Sequence, residues 1–475
     1  MAYLNQAIFF LASFAAIGTL IASALFIANN DGALTESGIE LKKKASLFTQ
    51  LWLVSALIGV VLRVKEILSG SFADALDPTT LRSYLTQTSL GKSVFFQVLI
   101  VASVALVLVA IKRVMPLLIV TALLLAAEIA PIFQSHSAAS GSHMLAIGAL
   151  VTHVIALVLW VGGLFGILLV PNQERIFAIQ RFSSLALWAA FAVSISGVAT
   201  AWTRLNTRSA WGSQYAVLVI VKVLFTLILI YMGRVNRAHI QSREELRLTE
   251  MLRLVSVEAM IMAAVVIMGS WLSLIAPPAT ESANLTPAQI IVGFKTPEPP
   301  TLWRIITAYN PDALMIALLL TALALYLYGV RVLKKRGDQW PVGRTIAFIA
   351  GLSLIDFATS GGLGVYALFS FEYHMMAHML LGMIAPIGLV LGAPITLALR
   401  ALPAGRTPEE RGPRAFALTA LHSRYSVILN NPITALALFD GSLFALYFTN
   451  LFGDLMQNHV GHLFMNIHFI LAGFL

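Results

Sequence analysis

Apolar residues recur along this chain in long unbroken runs separated by short polar stretches. The runs fall near 7–27, 47–69, 93–111, 115–133, 145–170, 183–203, 214–233 and 254–275, then near 312–332, 343–360, 373–399, 432–450 and 460–475. Most reach about 18 residues, the length at which an α-helix crosses roughly 30 Å of hydrocarbon. They lack the period-two alternation of a transmembrane β-strand. The pattern predicts an all-α fold, a polytopic transmembrane helical bundle of about 13 spans. The first run has no basic region ahead of it, so it reads as a retained span and not a signal peptide. Between the two groups lies APPATESANLTPAQIIVGFKTPEPPTLWRI, residues 276–305, too rich in proline and small polar residues to span lipid. It predicts two membrane domains, 1–275 and 312–475, joined by an extracytoplasmic linker at 276–311. The last run stops without polar residues to end it, so the sequence reads as a piece of a longer protein truncated at its C-terminal side.

Charge orients the spans. Basic residues collect in LKKK (41–44), KR (112–113) and the loops at 233–253, 331–344 and 400–414. With an extracytoplasmic N-terminus, about 22 of the 31 Lys and Arg face the cytoplasm, the bias expected of a correct orientation. The net charge of +9 therefore reports topology, and no nucleic-acid partner is expected; the partner surface is the lipid bilayer. Only 11% of residues are charged, against roughly a quarter in a soluble domain. The chain has no cysteine, which excludes disulfides and Cys-based zinc sites. Any soft-metal site must draw on His, Met or carboxylates.

The histidines are unevenly distributed. His239 and His422 fall in cytoplasmic loops, whereas His136, His143, His153, His374, His378, His459, His462 and His468 fall at the outer face or in the outer halves of spans. In EYHMMAHMLLGM, His374 and His378 share a helical face beside Met375, Met379 and Met383. In NHVGHLFMNIHF, His459, His462, Met465 and His468 recur every three residues, an oblique line running inward from the surface. Facing each other, these two segments would make a ladder of imidazole and thioether donors. Such donors suit copper, Cu(I) above all, while zinc favours Cys or carboxylate and calcium favours oxygen. The plainer reading is that methionines pack and span-end histidines bond to carbonyls or water. Ionisable residues within spans are functional candidates by default. Glu128 and Lys222 could form a buried pair, and Asp356 and Asp440 could bind a cation or relay a proton. Glu258 opens a span, where a helix N-terminus favours a carboxylate. Neither a nucleotide-binding glycine loop nor a nucleophile elbow nor a zinc-protease signature is present, and no enzymatic activity is expected.

Two stretches carry a family resemblance. HSAASGSHMLAIGALVTHVIALVLWVGGL (136–164), with His136, His153 and the Trp160–Leu164 run, resembles the copper-resistance protein D (CopD) family. So does 213–237 through Lys222, Asn236 and Arg237, and Glu258 matches an acidic position of that family. RGDQWPVGRTIAFIAG, HMMAHMLLGMIAPIGLVLGAP and HVGHLFMNIHFILAGFL are similar to the CtaG family of cytochrome c oxidase assembly proteins. The chain departs from the CtaG pattern in lacking about two further spans, and in having LALFDGSLFALYF, with Asp440, where many members carry a histidine. The resemblance implies a multi-pass protein of the bacterial plasma membrane that handles copper for homeostasis and oxidase assembly. Its partners would be the copper ion and a periplasmic copper chaperone or oxidase subunits. The expected ligands are His374, His378, His459 and His462, with Met375, Met379, Met465 and His468 as secondary donors and His136 and His153 in the first domain. A haem-binding redox protein and a proton-coupled transporter stand as alternatives.

Overall fold

The computed structural model describes residues 1–134, 143–205, 208–241, 248–272, 294–405, 407–456 and 459–475, with single positions at 275, 286, 289 and 292; the side chains of 143, 237–241, 248, 250–256 and 459 lie outside this description. In chain order come α1 (Ala2–Ile21), prolonged by a π turn (Ala22–Phe26), then β1 (Asn29–Asn30) and β2 (Ala33–Leu34). There follow α2 (Glu36–Leu68), two short helices α3 (Phe72–Ala75) and α4 (Pro78–Gln87), α5 (Ser89–Val107) and α6 (Val114–Ile129). Next are α7 (His143–Leu157), a second π turn (Val158–Gly162), α8 (Gly163–Leu168), α9 (Asn172–Arg204), α10 (Gln214–Gln241) and α11 (Leu248–Leu272). The chain continues with α12 (Leu302–Thr307), α13 (Ala313–Lys335), α14 (Val342–Thr359) and α15 (Gly362–Ala367). The run at 373–399 forms α16 (Phe371–Met379), a third π turn (Leu380–Ile384), α17 (Ala385–Leu391) and α18 (Pro394–Ala401). Last come α19 (Pro413–Leu421), α20 (Arg424–Leu429), α21 (Pro432–Tyr447), α22 (Leu451–Met456) and α23 (His459–Phe474).

Among the described residues ten helical segments are long and apolar enough to cross a membrane, and three shorter apolar helices, Val257–Leu272, Pro432–Tyr447 and Val460–Phe474, occupy the remaining positions of the pattern. This is a multi-pass helical membrane protein. The chain divides into two compact units, one of Met1–His136 with Ala149–Ser282, the other of Ser137–Gly148 with Ala283–Leu475.

In the first unit α1 is the central helix: 72% of its apolar window is buried, against 11% for Gln214–Asn236. Glycine makes the crossing possible, because a Cβ on Gly18 would stand 1.8 Å from the Gly162 carbonyl oxygen. Small residues at such crossings let membrane helices pack closely without a hydrophobic drive. Asp31 and Gly32, at φ 47° and 77°, close the β1–β2 hairpin as an Asp-Gly turn does. The hairpin meets the 111–114 turn, and Lys42 at the start of α2 donates to the carbonyls of Val109 and Ile111, at 3.0 and 2.8 Å. The two basic segments read as cytoplasmic therefore share one end of the unit. In the second unit Arg336 donates to the Arg400 carbonyl at 3.0 Å, which likewise joins the 331–344 and 400–414 loops. Outward-facing Phe95, Leu106, Phe191, Leu227, Leu325 and Phe444 are exposed, as lipid-facing residues are.

Candidate metal centre

The second unit gathers three of the expected ligands. His374 and His378 are one turn apart on α16, and both are 1% exposed, with ring centroids 4.1 Å apart. α23 brings the His462 ring to 6.2 Å from that of His374. The helices approach this closely at a glycine pair: a Cβ on Gly473 would lie 2.0 Å from the Gly382 carbonyl oxygen. Gly382 belongs to the π turn that begins two residues after His378, a feature that recurs at functional sites. Around the rings stands an aromatic wall, with Phe452 5.0 Å from His374 and Phe469 4.4 Å from His378.

Hydrogen bonding is sparse. Tyr447 at the end of α21 places its hydroxyl 2.9 Å from Nδ1 of His378. Nε2 of His378, both ring nitrogens of His374, Nδ1 of His462 and Nε2 of His468 are buried without a hydrogen-bond partner. The Ala367 carbonyl flanks His374 outside hydrogen-bond geometry. Buried polar nitrogens are nearly always satisfied, so four rings with orphaned nitrogens in one region call for an explanation. Among the described residues, however, no group of three or more His, Asp or Glu side chains is drawn together tightly enough to hold a metal ion.

Helix geometry places the expected donors along the last helix one by one. Each three-residue step falls about 60° short of a full turn, so the line His459, His462, Met465, His468 winds around α23. His462 turns toward the pair, whereas Met465 is a buried member of the hydrophobic core and His468 stacks on Phe464 at 6.0 Å. Met375 and Met379 are half-buried on α16, and Met383 is exposed. The His459 side chain, His136 and the His143 side chain lie outside the described residues.

In the first unit, His153 sets Nδ1 3.1 Å from the Val193 carbonyl and 3.1 Å from the Ser196 hydroxyl. A carbonyl can only accept, so the ring proton sits on Nδ1 and the lone pair on Nε2. The expected Glu128–Lys222 pair is not formed. Both Glu128 oxygens lack a partner, and the Lys222 ammonium lies 3.3 Å from the Cβ position of Gly269, on another helix. Nor does Glu258 sit at a helix N-terminus: α11 starts ten residues earlier, and the buried carboxylate accepts from the Asn236 amide at 2.9 Å. This pair borders a cavity of about 570 Å³ that is otherwise walled mainly by apolar residues of α8, α9 and α10. Asp356 accepts from the Tyr309 hydroxyl at 3.2 Å, and Asp440 is exposed.

Residues 324–475 match the family described as cytochrome c oxidase caa3 assembly factor (Caa3_CtaG), a span that includes the whole histidine group. Residues 2–145 match the copper resistance protein D-like N-terminal domain, and residues 177–272 match copper resistance protein D. The chain is a CopD–CtaG fusion. Uncharacterized proteins of Mycobacterium bovis and Mycobacterium tuberculosis are each 40% identical over 186 residues, 39% of this chain and 28% of theirs. An uncharacterized Mycobacterium leprae protein is 39% identical over 195 residues, covering 40% of this chain and 29% of its own length. The matched part is thus under a third of these curated relatives. No solved structure matches the chain. The fusion belongs with copper-resistance and oxidase-assembly proteins of the membrane. Its site includes residues that sequence reasoning passed over: Tyr447, Phe452 and Phe469. Tyr447 lies in the very segment where the CtaG pattern leads one to look for a histidine. There the polar group that reaches the site is the phenol of Tyr447, the last residue of α21, not the carboxylate of Asp440.

Proposed function

We propose that this CopD–CtaG fusion is a copper carrier that binds Cu(I) at the extracytoplasmic side of the bacterial plasma membrane and passes it on for copper homeostasis and oxidase maturation. The observation that carries the reading is the buried His374–His378 pair, faced by His462, whose outward nitrogens have no protein partner. Neutral imidazole and thioether donors suit a soft monovalent ion and spare the membrane interior the burden of extra charge. His374 and His378 form the core of the binding site, with His462 and His459 completing it as the ion enters. Met375, Met379, Met465 and His468 serve as secondary donors, and His136 and His153 act in the first unit. Tyr447 fixes His378: when Nδ1–H donates to the phenol oxygen, the Nε2 lone pair is left for the ion. The protein acts by ligand exchange and performs no bond-making chemistry of its own. Its acceptor is a periplasmic copper chaperone or an oxidase subunit.

The test is metal analysis of purified protein loaded anaerobically with Cu(I), beside the His374→Ala/His378→Ala variant. Loss of bound copper in the variant supports the reading, and unchanged stoichiometry overturns it. A Soret band in the visible spectrum of the wild type would favour haem instead.

A further inference from the structure

Glu128 takes no part in the copper reading, yet among the described residues of the first unit it is a charge-bearing group left without explanation. It is the penultimate residue of α6, 4% exposed, and neither carboxyl oxygen has a hydrogen-bond partner. α6 packs against α5, α1 and the turns that flank them. From α5, Gln97 donates its amide to the Ala127 carbonyl at 2.8 Å, which ties up the peptide next to the acid. From α1, Ser13 faces the carboxyl but donates its own hydroxyl to the Phe10 carbonyl at 3.1 Å. None of these elements supplies a counter-charge. α1 has Tyr3 as its only titratable side chain, 61% exposed near the helix start, and the turns Ala22–Phe26 and Ala130–Gln134 have none. α5 contains a single cation, Lys92, exposed five residues before Gln97 and so on a different face. Lys222 is not paired with the acid.

A hard cation would need several oxygen ligands and would find little beyond the carboxyl and one serine hydroxyl. Copper(I) prefers nitrogen and sulfur. The ligand that fits this environment is a proton.

We propose that Glu128 is a proton-binding site, a carboxylic acid that keeps its proton at neutral pH inside the first unit and exchanges it with water. The first unit then carries a proton-exchanging group at membrane depth, the element a proton-coupled step requires. This inference does not depend on copper binding.

Infrared spectroscopy of the full chain in lipid nanodiscs at neutral pH tests it. A free-acid carbonyl band should be present in wild type, move to lower frequency in D2O, and vanish in Glu128→Gln. Because Gln is close in shape to a protonated Glu, that variant should also keep its melting temperature. Should Glu128→Gln fail to fold, Glu128→Asp is read in its place and should shift the band. The proposal is overturned if these substitutions leave the free-acid region unchanged and remove only ionised-carboxylate bands. It is equally overturned if the Glu128 band does not respond to D2O.

Discussion

Tyr447→Phe removes one oxygen atom and little else. The ring is packed by Phe371 at 5.5 Å and Phe452 at 5.4 Å, contacts that phenylalanine keeps. What is lost is the 2.9 Å hydrogen bond to Nδ1 of His378. Outer-shell groups that hold a metal-binding histidine typically contribute about 10- to 100-fold in affinity, or roughly 1.4 to 2.7 kcal/mol. Leaving Nδ1 buried and unpartnered should also destabilise the protein by about 1–3 kcal/mol. Anaerobic competition against a chromogenic Cu(I) chelator, run on wild type, Tyr447→Phe and His378→Ala, reads the affinities directly. The expected order is wild type, then Tyr447→Phe weaker by at least tenfold, then His378→Ala weakest. If Tyr447→Phe stays within about twofold of wild type while His378→Ala loses copper, the orienting role of the phenol is refuted and the site survives. If neither variant changes affinity, the site itself is wrong.

Other consequences follow from the same packing. Gly473→Ala drives a methyl group to 2.0 Å from the Gly382 carbonyl oxygen; since backbone must move, the loss should reach or exceed about 1–3 kcal/mol, read as a lower melting temperature together with weaker copper binding. Replacing His374 alone by leucine removes two orphaned ring nitrogens and breaks no hydrogen bond, so copper-free protein should melt no lower than wild type, whereas a structural role for that ring would lower it. Outside the membrane spans, Asp74 and Asp77 are held below the ordinary carboxylate range, Asp74 first by the Ser71 hydroxyl and Asp77 first by the Thr80 backbone amide. A depressed folded-state pKa gives stabilisation that is complete above the unfolded value, about 3.9, and lost as pH falls through the folded one. Hydrogen exchange across residues 71–87, corrected for the intrinsic rate, should therefore accelerate locally in acid while the spans stay protected.

Much of the fold was legible because a membrane span is written in length and hydropathy, which need no tertiary information. The helical positions and the grouping of basic loops followed from that pattern alone. Helix starts were less visible: α2 and α9 begin at Glu36 and Asn172, well before their apolar runs, because polar first turns extend a helix beyond the lipid. The pairing of His374 with His378 was legible too, since a spacing of four fixes a common face. The three-residue line on α23 was harder to place from sequence because its 60° slip accumulates, so that Asn466 and Phe469 share the His462 face more nearly than His468 does. Tyr447 was invisible for a different reason. Its partner lies 69 residues away in sequence, and nothing in a tyrosine at the end of an apolar run signals a hydrogen bond to a histidine. The Glu128–Lys222 expectation failed similarly, because two opposite charges in spans say nothing about which faces meet.

The central claim is that a soft cation is held by the imidazoles of α16 and α23. X-ray absorption at the copper edge, on Cu(I)-loaded wild type and the His374→Ala/His378→Ala variant, tests it most directly. Imidazole scattering in the wild type that disappears in the variant, together with the bound copper, is the predicted result. Identical spectra and copper content in the two proteins would contradict the account.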